Sequence, residues 1–393
     1  MKIRRQFLFC LAALLCLSTL SGCSALLERT HLDVRPHQVA PPPTLGPGDY
    51  ITVSSQEELE RAIWDMVLGR QESGLFRVQH FRADGMEIVD AAVREAWQRP
   101  LVAYAVSNFL PLILSDVQGI MEIELVVSYQ KTAEQIAGVR SVNHAITATA
   151  LLGQMLRNGE TYLAMLSPAH IANVSFLESI IRDYYYSQAL EVVVRPKPVI
   201  NLYPSSGSGN LRIAEVALDF GVDQRTLAQM RGDLRLAATE LIGEMPEALT
   251  SAGQIIWLAG ALSDRVTPLF AEAPEADVEP EALYPIYNTA FGALVLGQAS
   301  SEGIAMAFQA LLQLLDLQAQ VVRGELDDLP HAWNILAFKG HYYHIDVSML
   351  HALGSAYALF VPDEIMMFQN GYSWDAVLYP RADSGLRYAD FSE

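Results

Sequence analysis

Three polar residues in the last quarter of the chain carry the groups needed for acyl-transfer chemistry. Ser301 precedes apolar residues at helical spacing, so it is predicted to open a helix. His331 and Asp346 belong to two segments whose side chains alternate as they do in strands. In a serine-type triad the imidazole removes the hydroxyl proton and the carboxylate orients the ring. The pattern therefore predicts a hydroxyl at a helix N-terminus and, on separate strands, an imidazole and a carboxylate.

A hairpin with its turn at Lys339-Gly340 is predicted to bring the imidazole and the carboxylate together. In that register Trp333 opposes Asp346, and His331 is its diagonal neighbour on the same face, within about 7–8 Å at the backbone. Because side chains alternate along a strand, the same face carries further residues that could line a cleft. The predicted cleft-lining residues are Trp333, Tyr342 and His344. Packing in the core is the alternative for Trp333.

The same three segments resemble the core of the transglutaminase-like (papain-related) superfamily. In that family a cysteine opens a helix, a histidine begins a His-Ala-Trp-Asn strand, and an aspartate ends the next strand. The order and spacing match here, but Ser301 stands where the family has cysteine. The resemblance covers roughly residues 250 to 385, and it implies a helix packed on an antiparallel sheet. No other cysteine can replace the missing one, because all three lie near the N-terminus, at Cys10, Cys16 and Cys23.

Serine at this position leaves three functions open. A thiolate is the nucleophile of the thiol enzymes, so its loss favours a pseudoenzyme that binds peptide, protein or cell-wall ligands. Retention of His331 and Asp346 allows a serine-dependent acyl hydrolase or transferase that uses Ser301. A tethered structural adaptor, in which the preceding units bind the partner, is the third. Independently of these, Ser300 or Ser301 could serve only as the helix N-cap.

Neither a cofactor nor a metal ion is predicted. His341 and His344 lie three positions apart on a predicted strand, which sends them to opposite faces. No cysteine lies near them to complete a zinc site. The formal net charge of −19 also disfavours nucleic acid as a partner.

The N-terminus resembles that of a bacterial lipoprotein. Basic residues precede an apolar run, Phe7–Leu20, that is too short to span a membrane comfortably. Leu20-Ser-Gly-Cys23 resembles a lipobox, which implies removal of the signal peptide (residues 1–22) and a lipid such as palmitate on Cys23. Residues 23–49 are rich in proline and are predicted to form a tether. We expect an exported protein, anchored to the outer, extracytoplasmic face of a membrane. The alternative is an ordinary secretory peptide with a chance cysteine.

The predicted fold class is α+β, with two strand/helix units ahead of the transglutaminase-like domain. The units span residues 50–160 and 167–246, and the domain spans residues 247–393. The second unit resembles a repeat of the first, because a strand and a helix recur in the same order; two unrelated α+β pieces are the alternative. The matched pairs are Glu124–Leu151 with Leu218–Leu241, Glu57–Leu68 with Phe176–Tyr186, and the β-rich runs Phe76–Phe81 with Leu190–Val194.

Overall fold

The computed structural model describes residues 49–79, 84–207, 209–269, 286–369 and 371–391. The predicted signal peptide, Cys23 and the tether up to residue 48 lie outside this part of the chain. No helix within these ranges is long and apolar enough to cross a membrane. The described residues form helices together with three four-stranded sheets and one two-stranded pairing. The predicted α+β class is therefore confirmed.

The first unit is a four-stranded sheet covered by helices. Strand β1 pairs in parallel with β2, and the remaining neighbours in the order β1-β2-β4-β3 are antiparallel. Buried aliphatic residues of the first helix and the strands form its own core. The elements are β1 (Ile51–Val53), α1 (Gln56–Leu68), β2 (Ser73–Gln79), α2 (Gly85–Ala96), α3 (Pro100–Ala105), β3 (Val106–Val117) and β4 (Ile120–Tyr129).

The second unit repeats this topology. Its sheet has the order β5-β6-β8-β7, again with one parallel pair, β5 with β6, followed by antiparallel neighbours. A short helix, α4 (Ala133–Ala137), separates the two sheets. The shared topology favours the predicted duplication, which stays a prediction. The elements are β5 (Arg140–Ser141), α5 (Ala145–Asn158), β6 (Tyr162–Pro168), α6 (Val174–Ser187), β7 (Lys197–Tyr203) and β8 (Leu211–Asp219).

Two details of the predicted units are wrong. Helix α5 falls within the predicted first unit (residues 50–160), but its buried residues Leu152 and Leu156 pack in the same core as Met165 of the second sheet. The helix equivalent to α1 is therefore α5, and not the predicted Phe176–Tyr186 segment. Residues Leu190–Val194 form a turn followed by irregular structure instead of a strand. Strand β5, which marks the true start of the second sheet, is only two residues long and gives no pattern of alternation.

The C-terminal domain contains a helix, α10 (Ser301–Leu314), packed on an antiparallel sheet of order β13-β12-β11-β14. Every residue from Gly303 to Leu312 is buried, so this helix is covered on all sides. The predicted arrangement of this helix on an antiparallel sheet is confirmed. The elements are α7 (Gln224–Gly243), α8 (Ser251–Arg265), β9 (Thr267–Pro268), α9 (Ala290–Leu294), β10 (Gln298–Ala299), α10, β11 (Ala319–Leu326), β12 (Leu329–Phe338), β13 (His341–Ile345), α11 (Leu350–Leu353), α12 (Ser355–Ala358), α13 (Asp363–Gln369) and β14 (Tyr372–Trp374).

The β12–β13 hairpin has the predicted register. Lys339 and Gly340 form the turn, with positive φ angles of 49° and 81°, as a type I′ turn requires. Across the hairpin, Ile335 faces His344 and Asn334 faces Ile345. This register brings the start of β12 beside the residues that follow β13, where the candidate site lies.

One apolar core extends from the second unit into the C-terminal domain. It includes buried residues of α5 and α6, of α8, of α10, and of the β12–β13 hairpin. The core of the first unit is separate. The second unit and the C-terminal domain are therefore built around common buried surface.

Candidate functional site

Ser301 is the first helical residue of α10, and Ser300 is its N-cap. The Ser300 hydroxyl accepts a hydrogen bond from the Gly303 N–H at 3.3 Å and donates one to Asn288 Oδ1 at 2.6 Å. Capping is therefore the task of Ser300. This leaves the Ser301 hydroxyl available for other contacts at the positive end of the helix dipole.

The Ser301 hydroxyl contacts the backbone of β12 beside the imidazole. The Ala332 N–H donates a hydrogen bond to Ser301 Oγ at 3.2 Å. Within the described ranges, no hydrogen bond joins Ser301 Oγ to the His331 ring. Ser301 and His331 nevertheless line the same cavities, so the structure brings the predicted hydroxyl and imidazole to one place.

His331 and Asp346 form the predicted couple. His331 Nε2 lies 2.6 Å from Asp346 Oδ2. Two further side chains hold the carboxylate, because Tyr372 donates to Oδ2 at 2.7 Å and Ser348 donates to Oδ1 at 2.6 Å. The Met349 N–H also donates to Oδ1, at 3.2 Å. Asp346 is only 1% exposed, so these bonds replace the hydration that the carboxylate loses.

These contacts keep the carboxylate ionised. Burial by itself would raise the pKa of Asp346. The hydrogen bond and the charge of His331, together with the bonds from Ser348 and Tyr372, outweigh burial and lower that pKa. Burial and the Asp346 charge in turn raise the pKa of Tyr372, so its phenol remains a donor.

The imidazole keeps one nitrogen for a ligand or a nucleophile. Nε2 is occupied by Asp346, and no described residue hydrogen-bonds to Nδ1. A carboxylate on one ring nitrogen fixes the tautomer and leaves the other to act as a base. The geometry could thus support proton transfer, provided that a reacting group lies within hydrogen-bond reach of Nδ1.

Two cavities are both lined by Ser301 and His331. The first has a volume of about 240 Å³, and its wall includes the apolar side chains of Pro268, Leu326 and Met349. The second has a volume of about 400 Å³ and includes the guanidinium groups of Arg195 and Arg323. The residues common to both walls are Leu269, Ser300, Ser301, Pro330 and His331.

The predicted cleft-lining residues lie elsewhere. Trp333 is buried behind the site, where its indole N–H donates to His344 Nδ1 at 2.9 Å. His344 Nε2 lies 2.8 Å from Asp363 Oδ1, so both ring nitrogens of His344 have partners inside the domain. Tyr342 is 39% exposed and lines neither cavity. These three residues share a strand face with His331, but alternation does not show which part of that face reaches the opening.

Several site residues were not identified from the sequence. Ser348 lies two residues after Asp346, a spacing that could have suggested a side chain oriented toward the carboxylate. Tyr372 comes from β14, and Arg195 comes from the second unit. Nothing in the local pattern links either residue to the site. Only the tertiary fold brings them there.

The described side chains offer no metal centre. No group of three or more His, Cys, Asp or Glu residues within the described ranges could hold an ion. His344 is buried with its own partners, whereas His351 pairs with Asp264 at 3.3 Å near the surface.

Comparisons with known proteins give low similarity. No family model matches the sequence, and no curated protein matches it. Among solved structures, a chain described as a TGase is 11% identical over 82% of this chain and 84% of its own length, with a TM-score of 0.27. A chain provisionally named a cysteine protease from Cytophaga hutchinsonii is 12% identical over 46% of this chain and 65% of its own, with a TM-score of 0.24. At such TM-scores, the assignment of the site rests on its own geometry.

Proposed function

We propose that this protein is a lipid-anchored, extracytoplasmic binding protein whose transglutaminase-like cleft holds a peptide, protein or cell-wall ligand without cleaving it. The observation that carries this proposal is the hydrogen bond from the Ala332 N–H to Ser301 Oγ. A hydroxyl becomes a nucleophile only when a base removes its proton. Here the oxygen is held by a backbone amide and makes no hydrogen bond to the imidazole of His331.

The chemistry of the two nucleophiles explains why the exchange matters. A thiol at a helix N-terminus beside an imidazole exists largely as a reactive thiolate. The hydroxyl of Ser301 gains little from the same surroundings, because its pKa is far higher. The amide donor of Ala332 also occupies one of the two acceptor positions of the oxygen. A site with these features can still bind a ligand after its catalytic activity has been lost.

The cleft has the form that a bound chain segment requires. The two cavities share a wall and differ in character: the first is mostly apolar with Asp327 at its wall, and the second carries Arg195 and Arg323 with Glu302. A ligand that extends past Ser301 would place neighbouring groups in each. Pockets with apolar walls and a few convergent polar groups are the usual binding sites of proteins.

Labelling and binding measurements on the protein lacking residues 1–48 test this proposal. A fluorophosphonate probe should give no labelling that depends on Ser301, judged against Ser301→Ala. The fluorescein-labelled hexapeptide Gly-Gly-Leu-Glu-Gly-Gly should bind, as measured by fluorescence polarisation. Leu329 lines the first cavity. Leu329→Arg places a charged side chain at its wall and should weaken that binding at least about tenfold. Leu236→Arg is the matched control, because both leucines are 59% exposed and Leu236 lines neither cavity.

The second candidate is a serine-dependent acyl hydrolase or transferase. The observation in its favour is the intact His331–Asp346 couple, with Nδ1 of the imidazole free of described partners. This candidate predicts fluorophosphonate labelling that disappears in both Ser301→Ala and His331→Ala. Such labelling would overturn the non-catalytic proposal.

Membrane anchoring has its own test. The support for it is the Leu20-Ser-Gly-Cys23 sequence followed by a proline-rich segment. A single acyl chain binds membranes only weakly, so stable anchoring needs more than one chain on Cys23. Cells expressing the full chain should incorporate radiolabelled palmitate into it, and Cys23→Ser should lose the label and leave the membrane fraction. An unlabelled wild-type protein would contradict the anchor.

A further inference from the structure

Two arginines meet at the second cavity beside Ser301. Arg323 lies on β11, and Arg195 follows the turns after α6 in the second unit. Their guanidinium carbons lie 4.6 Å and 6.0 Å from the centroid of the Tyr186 ring. One aromatic ring thus supports both groups through cation–π contacts. Both arginines are exposed, so a ligand in the cavity can reach them.

Neither arginine is neutralised by an ion pair. The salt bridges of the described residues involve other arginines, such as Arg77 with Glu122 and Arg235 with Glu191. The chain has 45 acidic residues against 26 basic ones, so carboxylates to pair with are abundant. Arg195 and Arg323 have no ion pair among the described residues, and they lie together on one cavity wall against one aromatic ring.

Glu302 is the carboxylate that belongs to this wall. It follows Ser301 and lines the cavity, and its Oε1 is buried without a hydrogen-bond partner. Burial raises the pKa of Glu302 above its ordinary value, although the charge of Arg195 opposes the change. Glu302 offsets at most one of the two guanidinium charges. The wall therefore keeps an excess of positive charge.

We infer that Arg195 and Arg323 bind a carboxylate of the ligand, while an adjoining apolar group of the same ligand enters the first cavity. The ligand class is thus a peptide in which an acidic residue neighbours a large apolar one. This inference rests on the proposed binding function and specifies its ligand.

The charges on the wall favour a carboxylate over a phosphate. The guanidinium fork matches the planar carboxylate with paired hydrogen bonds. A dianionic phosphate could use the same donors, but it would place a second negative charge near Glu302. The first cavity, lined by Pro268, Leu326 and Met349, suits an aliphatic side chain.

Matched peptides test the inference on the protein lacking residues 1–48. The probes are fluorescein-labelled hexapeptides with a central Leu-Glu or Glu-Leu pair, their Leu-Gln and Gln-Leu counterparts, and a Leu-phosphoserine form. At least one glutamate peptide should bind about tenfold more tightly than its glutamine counterpart. Raising the salt concentration should reduce this difference, because the contact is between exposed charges.

Variants assign the preference to the arginines. Arg195→Gln and Arg323→Gln should each reduce the glutamate preference, and the double variant should abolish it while the glutamine peptides bind as before. Arg225→Gln is the control, because Arg225 is exposed on α7 and lines neither cavity. Removing the Arg225 charge should leave the preference for glutamate over glutamine peptides unchanged. Thermal unfolding of each variant shows that it is folded.

The outcomes separate this inference from the proposed function. Equal binding of the glutamate and glutamine peptides would overturn the carboxylate inference and leave peptide binding intact. Tighter binding of the phosphoserine peptide than of both glutamate peptides would also overturn it. If no peptide binds, N-acetylglutamate is tested by NMR of the arginine side chains, with N-acetylglutamine as control. Shifts at Arg195 and Arg323 with the glutamate compound alone would support the carboxylate site and refute the peptide function. If these NMR shifts are absent, both the carboxylate inference and the proposed peptide-binding function are overturned.

Discussion

Asp346 is the most firmly held polar residue of the site. Its carboxylate oxygens receive hydrogen bonds from the Tyr372 and Ser348 hydroxyls and from a backbone N–H, and one of them contacts the His331 ring. A buried carboxylate with these partners orients the imidazole and also contributes to stability. The couple can therefore be retained for structural reasons even where no reaction takes place.

Removing the charge or one donor should destabilise the protein measurably. Asp346→Asn and Tyr372→Phe should each lower the free energy of unfolding at pH 7 by about 2 kcal/mol, because each removes a charge-assisted hydrogen bond in a buried site. Urea denaturation measures the change. Tyr342→Phe is the control, since the exposed Tyr342 hydroxyl has no described partner, and it should alter stability little.

The pH dependence of this effect follows from the lowered pKa of Asp346. A carboxylate whose pKa is lower in the folded state stabilises the protein fully above its ordinary value of 3.8. That contribution is lost as the pH falls through the lower, folded-state pKa. The stability difference between wild type and Asp346→Asn should therefore shrink below about pH 4. A difference that stays constant down to pH 2.5 would contradict this assignment.

Restoring sulfur tests whether the surroundings of a reactive thiol are intact. In the protein lacking residues 1–48, which contains no cysteine, Ser301→Cys should react with iodoacetamide at pH 7 at least about tenfold faster than a free cysteine, because the helix dipole and His331 stabilise the thiolate. Adding His331→Ala should remove most of the increase. A slow reaction in both variants would show that the helix terminus and the imidazole no longer cooperate.

At this scale the sequence predicted pairs within one hairpin and missed partners from distant segments. Alternation and the Lys339-Gly340 turn were enough to pair His331 with Asp346, because both conditions are local. Tyr372 and Arg195 reach the site through strand order and through contact between units. No local pattern contains that information.

Among the elements, the position of α10 is fixed by a close approach at Gly303. A Cβ atom at Gly303 would lie 2.3 Å from the Tyr287 carbonyl oxygen and 3.0 Å from that of Thr289. Both neighbours are backbone atoms, which cannot rotate away as a side chain could. The absence of a side chain at Gly303 therefore sets how closely the N-terminus of α10 packs, and hence where Ser301 lies.

A methyl group at this position should move the helix. Gly303→Ala should lower the free energy of unfolding by about 2 kcal/mol through steric overlap, and it should weaken binding of the Leu-Glu peptide because Ser301 and Glu302 shift. Gly260→Ala, within α8, is the matched control, since no atom outside the adjoining backbone of its own helix lies within 4 Å of its Cβ position. That substitution should stabilise the protein by up to about 1 kcal/mol. Equal effects of the two changes would argue against the close approach.

Long or strongly patterned elements were predictable, and short ones were not. The stripe of apolar residues identified α10, and the turn chemistry identified the β12–β13 hairpin. Strand β5 has two residues, and it decides to which sheet α5 belongs. Two residues carry too little sequence signal to mark where a unit begins. The predicted first unit therefore extends to residue 160, past the start of the second sheet at Arg140.

In the whole molecule, Glu215 connects the first and second units. It is 5% exposed on β8 and forms a salt bridge with Lys131, which follows the last strand of the first unit. The Tyr162 and Tyr203 hydroxyls donate to its two oxygens, each at 2.9 Å. A buried ion pair with these partners fixes one unit against the other.

Breaking this pair should cost more than breaking a surface pair. Glu215→Gln should lower the free energy of unfolding by about 3 kcal/mol, because it leaves the Lys131 ammonium group without a counter-charge. Glu122→Gln is the comparison, since Glu122 pairs with the half-exposed Arg77 inside the first unit. The loss of stability should be much smaller than for Glu215→Gln, because solvent screens an exposed ion pair. Chemical denaturation measures the free energy of unfolding of both variants. Comparable losses of stability would show that Glu215 has no special role between the units.

The apolar core that passes from the second sheet into the C-terminal domain limits how this protein can be dissected. A fragment beginning at residue 247 would expose to water the apolar surfaces of α9, α10 and β11 that helices α6 and α7 now contact, and such a surface promotes aggregation. Separation ahead of Arg140 leaves that core undivided, because the first unit has its own. The smallest fragment that keeps this core whole is therefore residues 140–393, which includes the unit that supplies Arg195 but leaves the buried Glu215 without Lys131.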